Sequence, residues 1–108
     1  MQTKNIFSLT NIPFNSQEEF FESLCEHGNM KIERIVSYGQ VSPPDQWYDQ
    51  EKHEWVVLLQ GKATLEFEDQ RLVHFQAGDS LLLPAGLRHR VAYTSKDPAC
   101  IWIGVHFK

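Results

Sequence analysis

Two separated stretches of the chain carry side chains whose types and spacing suit metal or proton chemistry. His89 follows the turn residues Pro-Ala-Gly at 84–86, and Glu54 opens an apolar run shortly after Tyr-Asp-Gln at 48–50. Imidazole nitrogen with carboxylate and amide oxygens is a mixed donor set suited to first-row divalent ions such as iron, manganese, nickel or zinc. If the two stretches meet in the fold, Glu54 and His89 would share one site.

The segment before His89 has the pattern of a short strand between two turns. Gly78-Asp79 and residues 84–86 are turn formers, and the apolar run 80–83 between them is too short for a stable helix. The two turns therefore predict a fixed position for His89 at the start of the next strand.

Most of the chain is predicted to form strands separated by Gly, Pro and Asp turns. Residues 63–68 alternate apolar and polar side chains, as a half-buried strand does. The predicted strands are 31–38, 41–50 (interrupted by Pro43-Pro44), 53–60, 63–68, 71–76, 80–83, 89–94 and 100–107. About eight short strands at this spacing predict an all-β, single antiparallel β-barrel over residues 31–108.

The N-terminal segment is predicted to differ from the rest of the chain. Ser16 and Glu19 have capping-box spacing, and an apolar face recurs at helical spacing from Phe20 to Cys25, with Gly28 as a stop signal. This pattern predicts one N-terminal α-helix. Residues 1–30 would then be a lead and helix packed on the barrel.

The spacing around His89 resembles a known motif. Gly78, Pro84, Gly86 and His89 are placed as in the second sequence motif of the cupin family, with Tyr93 where that motif usually has Asn. The resemblance extends over roughly residues 38–107. It implies a cupin barrel, the double-stranded β-helix, with a site inside it.

The first cupin motif is degenerate. Glu54 and the glycine seven residues later resemble its second half, but the two histidines that precede the Glu in metal-binding cupins are absent. Depending on the gap, their positions hold Tyr48 and Gln50, or Trp47 and Asp49. The resemblance therefore implies a divalent metal held by Glu54 and His89, with the remaining ligands open.

Both alternatives for the missing ligands have a weakness. Asp49 is anionic and the better ligand, but the gap that selects it pairs it with Trp47, which cannot ligate. Gln50 and Tyr48 are weaker oxygen donors that share a face with Glu54 in an unbroken strand. We favour Gln50 as a ligand, keep Asp49 as the alternative, and expect Tyr48 or Trp47 in the pocket.

Alternation along the strands extends the candidate site. Residues two apart in a strand share a face, so Tyr93 is predicted beside His89, where Tyr93 or Glu54 could transfer protons. His53 has the opposite parity to Glu54 and is expected outside. His106 could line the pocket, because both faces of the last strand are apolar.

Composition excludes some partners. The formal net charge is −4, and no Lys/Arg cluster is present, which argues against nucleic acid and anionic membranes. No apolar run could span a bilayer, so a cytoplasmic location is expected. Strands 53–60 and 100–107 are apolar on both faces, which predicts a covering partner. A homodimer is expected, as small cupins commonly pair.

These observations lead to hypotheses of different classes. The first is a divalent-metal-dependent enzyme acting on a small polar organic molecule inside the barrel. The alternative is a non-catalytic module that binds a sugar or carboxylate without a tightly bound metal. A structural homodimer with a vestigial pocket ranks third. The fold alone does not choose among them.

Overall fold

The chain forms eight β-strands and no helix in the computed structural model, which describes all 108 residues. The strands are β1 (Phe20–His27), β2 (Met30–Ser37), β3 (His53–Gln60), β4 (Lys62–Phe67), β5 (Leu72–Gln76), β6 (Ser80–Leu83), β7 (His89–Thr94) and β8 (Cys100–Phe107). The all-β prediction is confirmed, and β3, β6, β7 and β8 have the predicted bounds. The chain has no helix of the length and apolarity that crossing a membrane requires.

The strands form two antiparallel sheets that pack face to face. The larger sheet has the order β1-β2-β8-β3-β6, and the smaller has the order β5-β4-β7. The main hydrophobic core lies between the sheets, where Trp102 of β8 packs edge-to-face on Phe75 of β5 with ring centroids 5.1 Å apart. This arrangement places β8 between β2 and β3, so side chains of these three strands can meet on one face of the sheet.

The predicted N-terminal helix is wrong, because residues 20–27 form strand β1, paired antiparallel with β2. Phe20 packs with the buried Ile12 and Val36, whereas its neighbour Phe21 lines a cavity, so the two aromatics serve different environments. Gly28 is not a helix stop. It has φ +57° at the first position of the two-residue turn between β1 and β2, a preferred place for glycine in a hairpin.

The segment predicted as a strand at 41–50 is instead a strap that runs beside β7. Its main-chain hydrogen bonds join Ser42 N to Val91 O at 2.8 Å and Tyr48 N to His89 O at 2.7 Å. The adjacent prolines at 43 and 44 cannot donate to a continuous ladder, which explains why the pairing is interrupted. The strap nonetheless fixes Tyr48 against His89.

The N-terminal lead covers part of the outer face of the larger sheet. Arg34 is 3% exposed although its side chain lies on that face, because it donates hydrogen bonds to the carbonyls of Ile6 and Ser8. It also donates to Glu22 at 2.9 Å. These bonds satisfy a buried guanidinium and attach the lead to β1 and β2.

Candidate functional site

A small cavity lies between the two sheets. It has a volume of about 60 Å³, enough for an ion with a few waters. Its polar lining comes from both sheets, the strap and the approach to β1: Glu19, Glu33, Tyr48, Gln50, Glu54 and His89. Three carboxylates therefore surround one small space.

The densest group of potential metal ligands consists of Glu33, Glu54 and His106. One ligand atom from each lies within 4.8 Å of the other two. Nε2 of His106 is 2.8 Å from Oε1 of Glu33 and 3.5 Å from Oε2 of Glu54. The strands explain this convergence, since His106 of β8 pairs directly with Glu54 of β3, while Glu33 comes from β2 on the other side of β8.

Gly104 creates the space that the Glu54 carboxylate occupies. A Cβ atom at this position would lie 2.7 Å from Oε2 of Glu54. Gly104 lies opposite Val56 on one neighbouring strand and Glu33 on the other, so its missing side chain opens the inner face of the sheet at the cluster. Any larger residue here would displace the flexible end of the Glu54 side chain.

Burial and mutual repulsion make the carboxylates of this site receptive to a cation. Burial raises the pKa of Glu54, nearby Glu33 raises it further, and His106 and Gln50 oppose the increase. Burial likewise raises the pKa of Glu19, although a hydrogen bond from Ser37 opposes it. Bringing a cation among these groups would relieve both the desolvation and the repulsion.

Glu33 and His106 behave as an ion pair within the same cluster. The pKa of Glu33 is lowered, since the hydrogen bond and charge of His106 and the charge of Lys31 together outweigh desolvation. The same hydrogen bond to Glu33 raises the pKa of His106. The pair therefore favours a protonated His106, and a metal would have to displace that proton to bind the imidazole.

His89 is buried in the same cavity but lies outside that ligand group. Its Nδ1–H donates to the carbonyl of Leu87 at 3.1 Å, which leaves Nε2 as the acceptor nitrogen. Its ring stacks on Tyr48, with centroids 5.5 Å apart. Burial lowers the pKa of His89, so the imidazole is held neutral, the form that can ligate a metal.

The strap divides the predicted pocket residues into two sets. Tyr48 and Gln50 line the cavity together with Glu54. Asp49 is exposed and lies 3.9 Å from the guanidinium of Arg88, and Trp47 lines a separate outer groove. The three-residue gap in the first motif therefore matches the structure, and the prediction of Asp49 as a ligand of this cavity does not.

The predicted position of Tyr93 beside His89 is wrong. Thr64 of β4 pairs with Tyr93, but the next residue, Leu65, pairs with Val91, so β7 carries a β-bulge at Ala92. An extra residue reverses the alternation beyond it. Tyr93 is 51% exposed and does not line the cavity.

The remaining positions show what the sequence signals missed. His106 joins Glu54, and His53 lies outside the cavity, where its Nδ1 accepts from the amide of Ala85. Glu33 was not predicted. The only sequence signal for Glu33 is its position two residues before Ile35, a core residue of the same strand. Residues two apart in a strand face the same side, so the Glu33 carboxylate faces inward.

The fold and the site together define a class of protein: a small double-stranded β-helix with a polar site enclosed between its sheets. The family model described as "Cupin domain" matches residues 34–106. The chain belongs to the cupin family, which confirms the resemblance.

Solved structures agree with this assignment. A candidate mannose-6-phosphate isomerase of Ralstonia eutropha is 38% identical, with a TM-score of 0.89 over 100% of this chain and 99% of that one. An RmlC-like cupin of Desulfovibrio desulfuricans is 19% identical, with a TM-score of 0.71 over 97% of each chain. An RmlC-like cupin of Methanocaldococcus jannaschii is 18% identical, with a TM-score of 0.69 over 86% and 83%. No curated protein matches the chain.

Proposed function

We propose that this cupin is a divalent-metal-dependent enzyme that acts on a small polar organic molecule. The observation that carries the proposal is the group formed by Glu33, Glu54 and His106, whose ligand atoms all lie within 4.8 Å of one another. Two carboxylates and one imidazole form an oxygen-rich donor set that fits manganese, iron or zinc. Three protein ligands would leave positions for substrate or water.

The ion and the residues around this group would have different chemical roles. A divalent ion here would supply Lewis-acid polarisation of substrate oxygens. Glu54, whose pKa is raised by burial, is suited to hold or transfer a proton if it does not ligate fully. Glu19 is a second carboxyl group with a raised pKa in the cavity. Neutral His89 and the Tyr48 ring stacked on it form the opposite wall.

Two ligand sets remain to be separated, and they share Glu54. The cupin resemblance implies His89 as a ligand, with Gln50 in place of a missing histidine. The geometry favours Glu33 and His106, and we propose this second set, with Gln50 as an additional oxygen donor beside Glu54.

Metal analysis of untagged protein tests the proposal. Wild type should hold about one ion per chain, Glu54→Gln and His106→Gln should lose most of it, and His89→Gln should retain it. Glu26→Gln, which removes an exposed carboxylate of β1, is the matched control. A metal content that is low in wild type and unchanged by Glu54→Gln would refute the metal site. Loss in both Glu54→Gln and His89→Gln, with retention in His106→Gln, would favour the other ligand set.

The name of the Ralstonia protein suggests a reaction to test. Isomerisation of a sugar phosphate between aldose and ketose forms needs a proton carrier beside a polarised carbonyl, and Glu54 or Glu19 could act as that carrier. Incubation of the metal-loaded protein with mannose 6-phosphate and with mannose, followed by product analysis, tests the phosphorylated and the unphosphorylated sugar as substrates. Turnover that Glu54→Gln abolishes and Glu26→Gln preserves is the expected result for the right substrate.

The size of the cavity favours a second candidate, a binding module without turnover. A space of about 60 Å³ cannot enclose a whole sugar, so an organic ligand would have to lie mainly outside it. Thermal-shift measurements against sugars and small carboxylic acids test this alternative, because a ligand that binds only the native state raises its melting temperature. Stabilisation by a ligand that is recovered unchanged after long incubation would support it.

A further inference from the structure

An outer groove adjoins the cavity and is much larger. It encloses about 580 Å³ between the strap and the residues that lead into β1. Glu19, Phe21 and Tyr48 line both spaces, so the groove is the approach to the cavity on this side. A ligand too large for the cavity has room here.

Aromatic rings form part of the groove wall. Phe21 is 49% exposed and Tyr48 is 39% exposed, while Trp47 is half-buried beside them. Aromatic side chains that line a concave surface can offer their negatively polarised ring faces to an organic cation.

Charge in the groove has one sign. Glu18 and Glu19 line it, and neither its lining nor that of the cavity includes a Lys or Arg. Tyr48 stands at the junction of the two spaces, whose combined lining contains Glu18, Glu19, Glu33 and Glu54. Arg90 contacts the wall at the carbonyl of Ser42, but its guanidinium is paired with Glu66 at 2.7 Å.

From this combination of aromatic rings and carboxylates we infer that the groove binds an organic cation, a molecule that carries an ammonium group. The inference names the ligand class of the site proposed above and rests on that proposal for the role of the metal. A sugar phosphate is disfavoured in this groove, because its phosphate would meet Glu18 and Glu19 without a countercharge.

A second surface beside the cluster carries charges of both signs. Lys31, Lys52, Glu51 and His106 line a shallow groove that shares Glu33 and Gln50 with the cavity. It contains no apolar lining residue, and Lys31 lies 3.6 Å from Glu33. This surface is the place where an anionic ligand would bind instead, so the experiment must include one.

Choline and its uncharged carbon isostere, 3,3-dimethylbutan-1-ol, provide a matched pair of probes. Both probes carry the same hydroxyl group and the quaternary nitrogen cannot ligate a metal, so the comparison reports on the positive charge. Calorimetric titration of the wild-type protein should show saturable choline binding at least about tenfold tighter than binding of the isostere, a ratio that corresponds to about 1.4 kcal/mol. Mannose 6-phosphate is the anionic arm of the same experiment.

Variants assign the binding to the groove. Glu18→Gln and Trp47→Leu should each weaken choline binding severalfold, and Glu26→Gln should leave it unchanged. Equal affinity for choline and its isostere, or no choline binding, would overturn the inference. Binding of mannose 6-phosphate that Trp47→Leu weakens would also overturn it, because the anion would then occupy the groove. Metal content measured on the same samples keeps the two proposals distinct: choline binding without metal would refute only the enzyme, and metal without choline binding would refute only the ligand class.

Discussion

Gly104 controls the position of the Glu54 carboxylate, because any side chain there would meet Oε2 at 2.7 Å. Since that oxygen ends a flexible side chain, Gly104→Ala should displace the carboxylate and leave the sheet intact. We expect metal affinity to fall by about 10- to 100-fold, the range seen when residues that orient a ligand are lost. Metal titration beside a thermal melt measures both effects.

The double variant Gly104→Ala with Glu54→Asp serves as the control for this prediction. The shorter aspartate leaves room for the added methyl group, so it should recover part of the affinity that Gly104→Ala loses. Full metal affinity in Gly104→Ala would show that Glu54 does not need its observed position.

The Glu33–His106 pair predicts a pH-dependent contribution to stability in metal-free protein. The pKa of His106 in the folded state is raised above 6.5. Its contribution to stability is therefore complete below pH 6.5 and is lost as the pH rises through the folded-state pKa. The folded pKa of Glu33 is lowered below 4.5, so its contribution is lost only as pH falls through that value. His106→Gln should therefore destabilise most between 4.5 and 6.5.

Urea unfolding of both proteins in chelator across this pH range measures the difference. A loss of about 2 kcal/mol is expected within the window, the usual size for a hydrogen bond to a charged group. The difference should shrink at higher pH, where wild-type His106 also becomes neutral. A difference that grows steadily with rising pH would contradict this account.

At the scale of elements, the β1–β2 hairpin depends on the backbone conformation of Gly28. A Cβ atom there would meet nothing within 4 Å, so the cost of substitution comes only from φ +57°. Gly28→Val should destabilise by about 1–2 kcal/mol, and Gly28→Asn by less, because Asn adopts this conformation more readily. Denaturant unfolding of the two variants checks the order, and equal costs would contradict it.

The bulge in β7 shows how one residue redirects a surface. Before Ala92, His89 and Val91 face inward; after it, Thr94 is buried and Tyr93 is exposed. The buried Thr94 hydroxyl donates to the carbonyl of Gln40 at 2.7 Å and accepts from the amide of Gly39. The bulge therefore turns Tyr93 away from the site and turns Thr94 inward, where its hydroxyl group holds the start of the strap.

At the scale of the whole molecule, one sheet face remains uncovered. Direct pairings place one apolar side chain from each strand of the larger sheet in a row across its outer surface: Cys25, Ile32, Val105, Trp55 and Leu82. Trp55 is 38% exposed and Leu82 is 49% exposed. The lead covers a different part of this face, around Arg34. We propose that a second copy of the chain covers the row.

Sedimentation analysis tests the homodimer. Wild type should be a dimer at micromolar concentration, and Trp55→Lys or Leu82→Lys should give a folded monomer, since a charge at the centre of an apolar interface is costly to bury. Tyr93→Lys, which changes an exposed aromatic residue of the smaller sheet, is the control and should remain dimeric. A wild-type monomer would refute the proposal.

Local pattern was sufficient for most of the fold. Turn residues on either side of short apolar runs determined the bounds of β3, β6, β7 and β8, because these signals act within a few residues. The spacing from Gly78 to His89 was sufficient to identify the family. Burial of Glu54 and His89 in one cavity agrees with that spacing.

Only the tertiary structure decided the rest, because long-range pairing overrode the local signals. Residues 20–27 have helical spacing but form β1, since the edge of β2 is available to pair with them. The bulge at Ala92 moves Tyr93 to the surface, and period-two reasoning cannot detect an inserted residue. Glu33 meets His106 across 73 residues of chain, a contact that depends on the order of the strands.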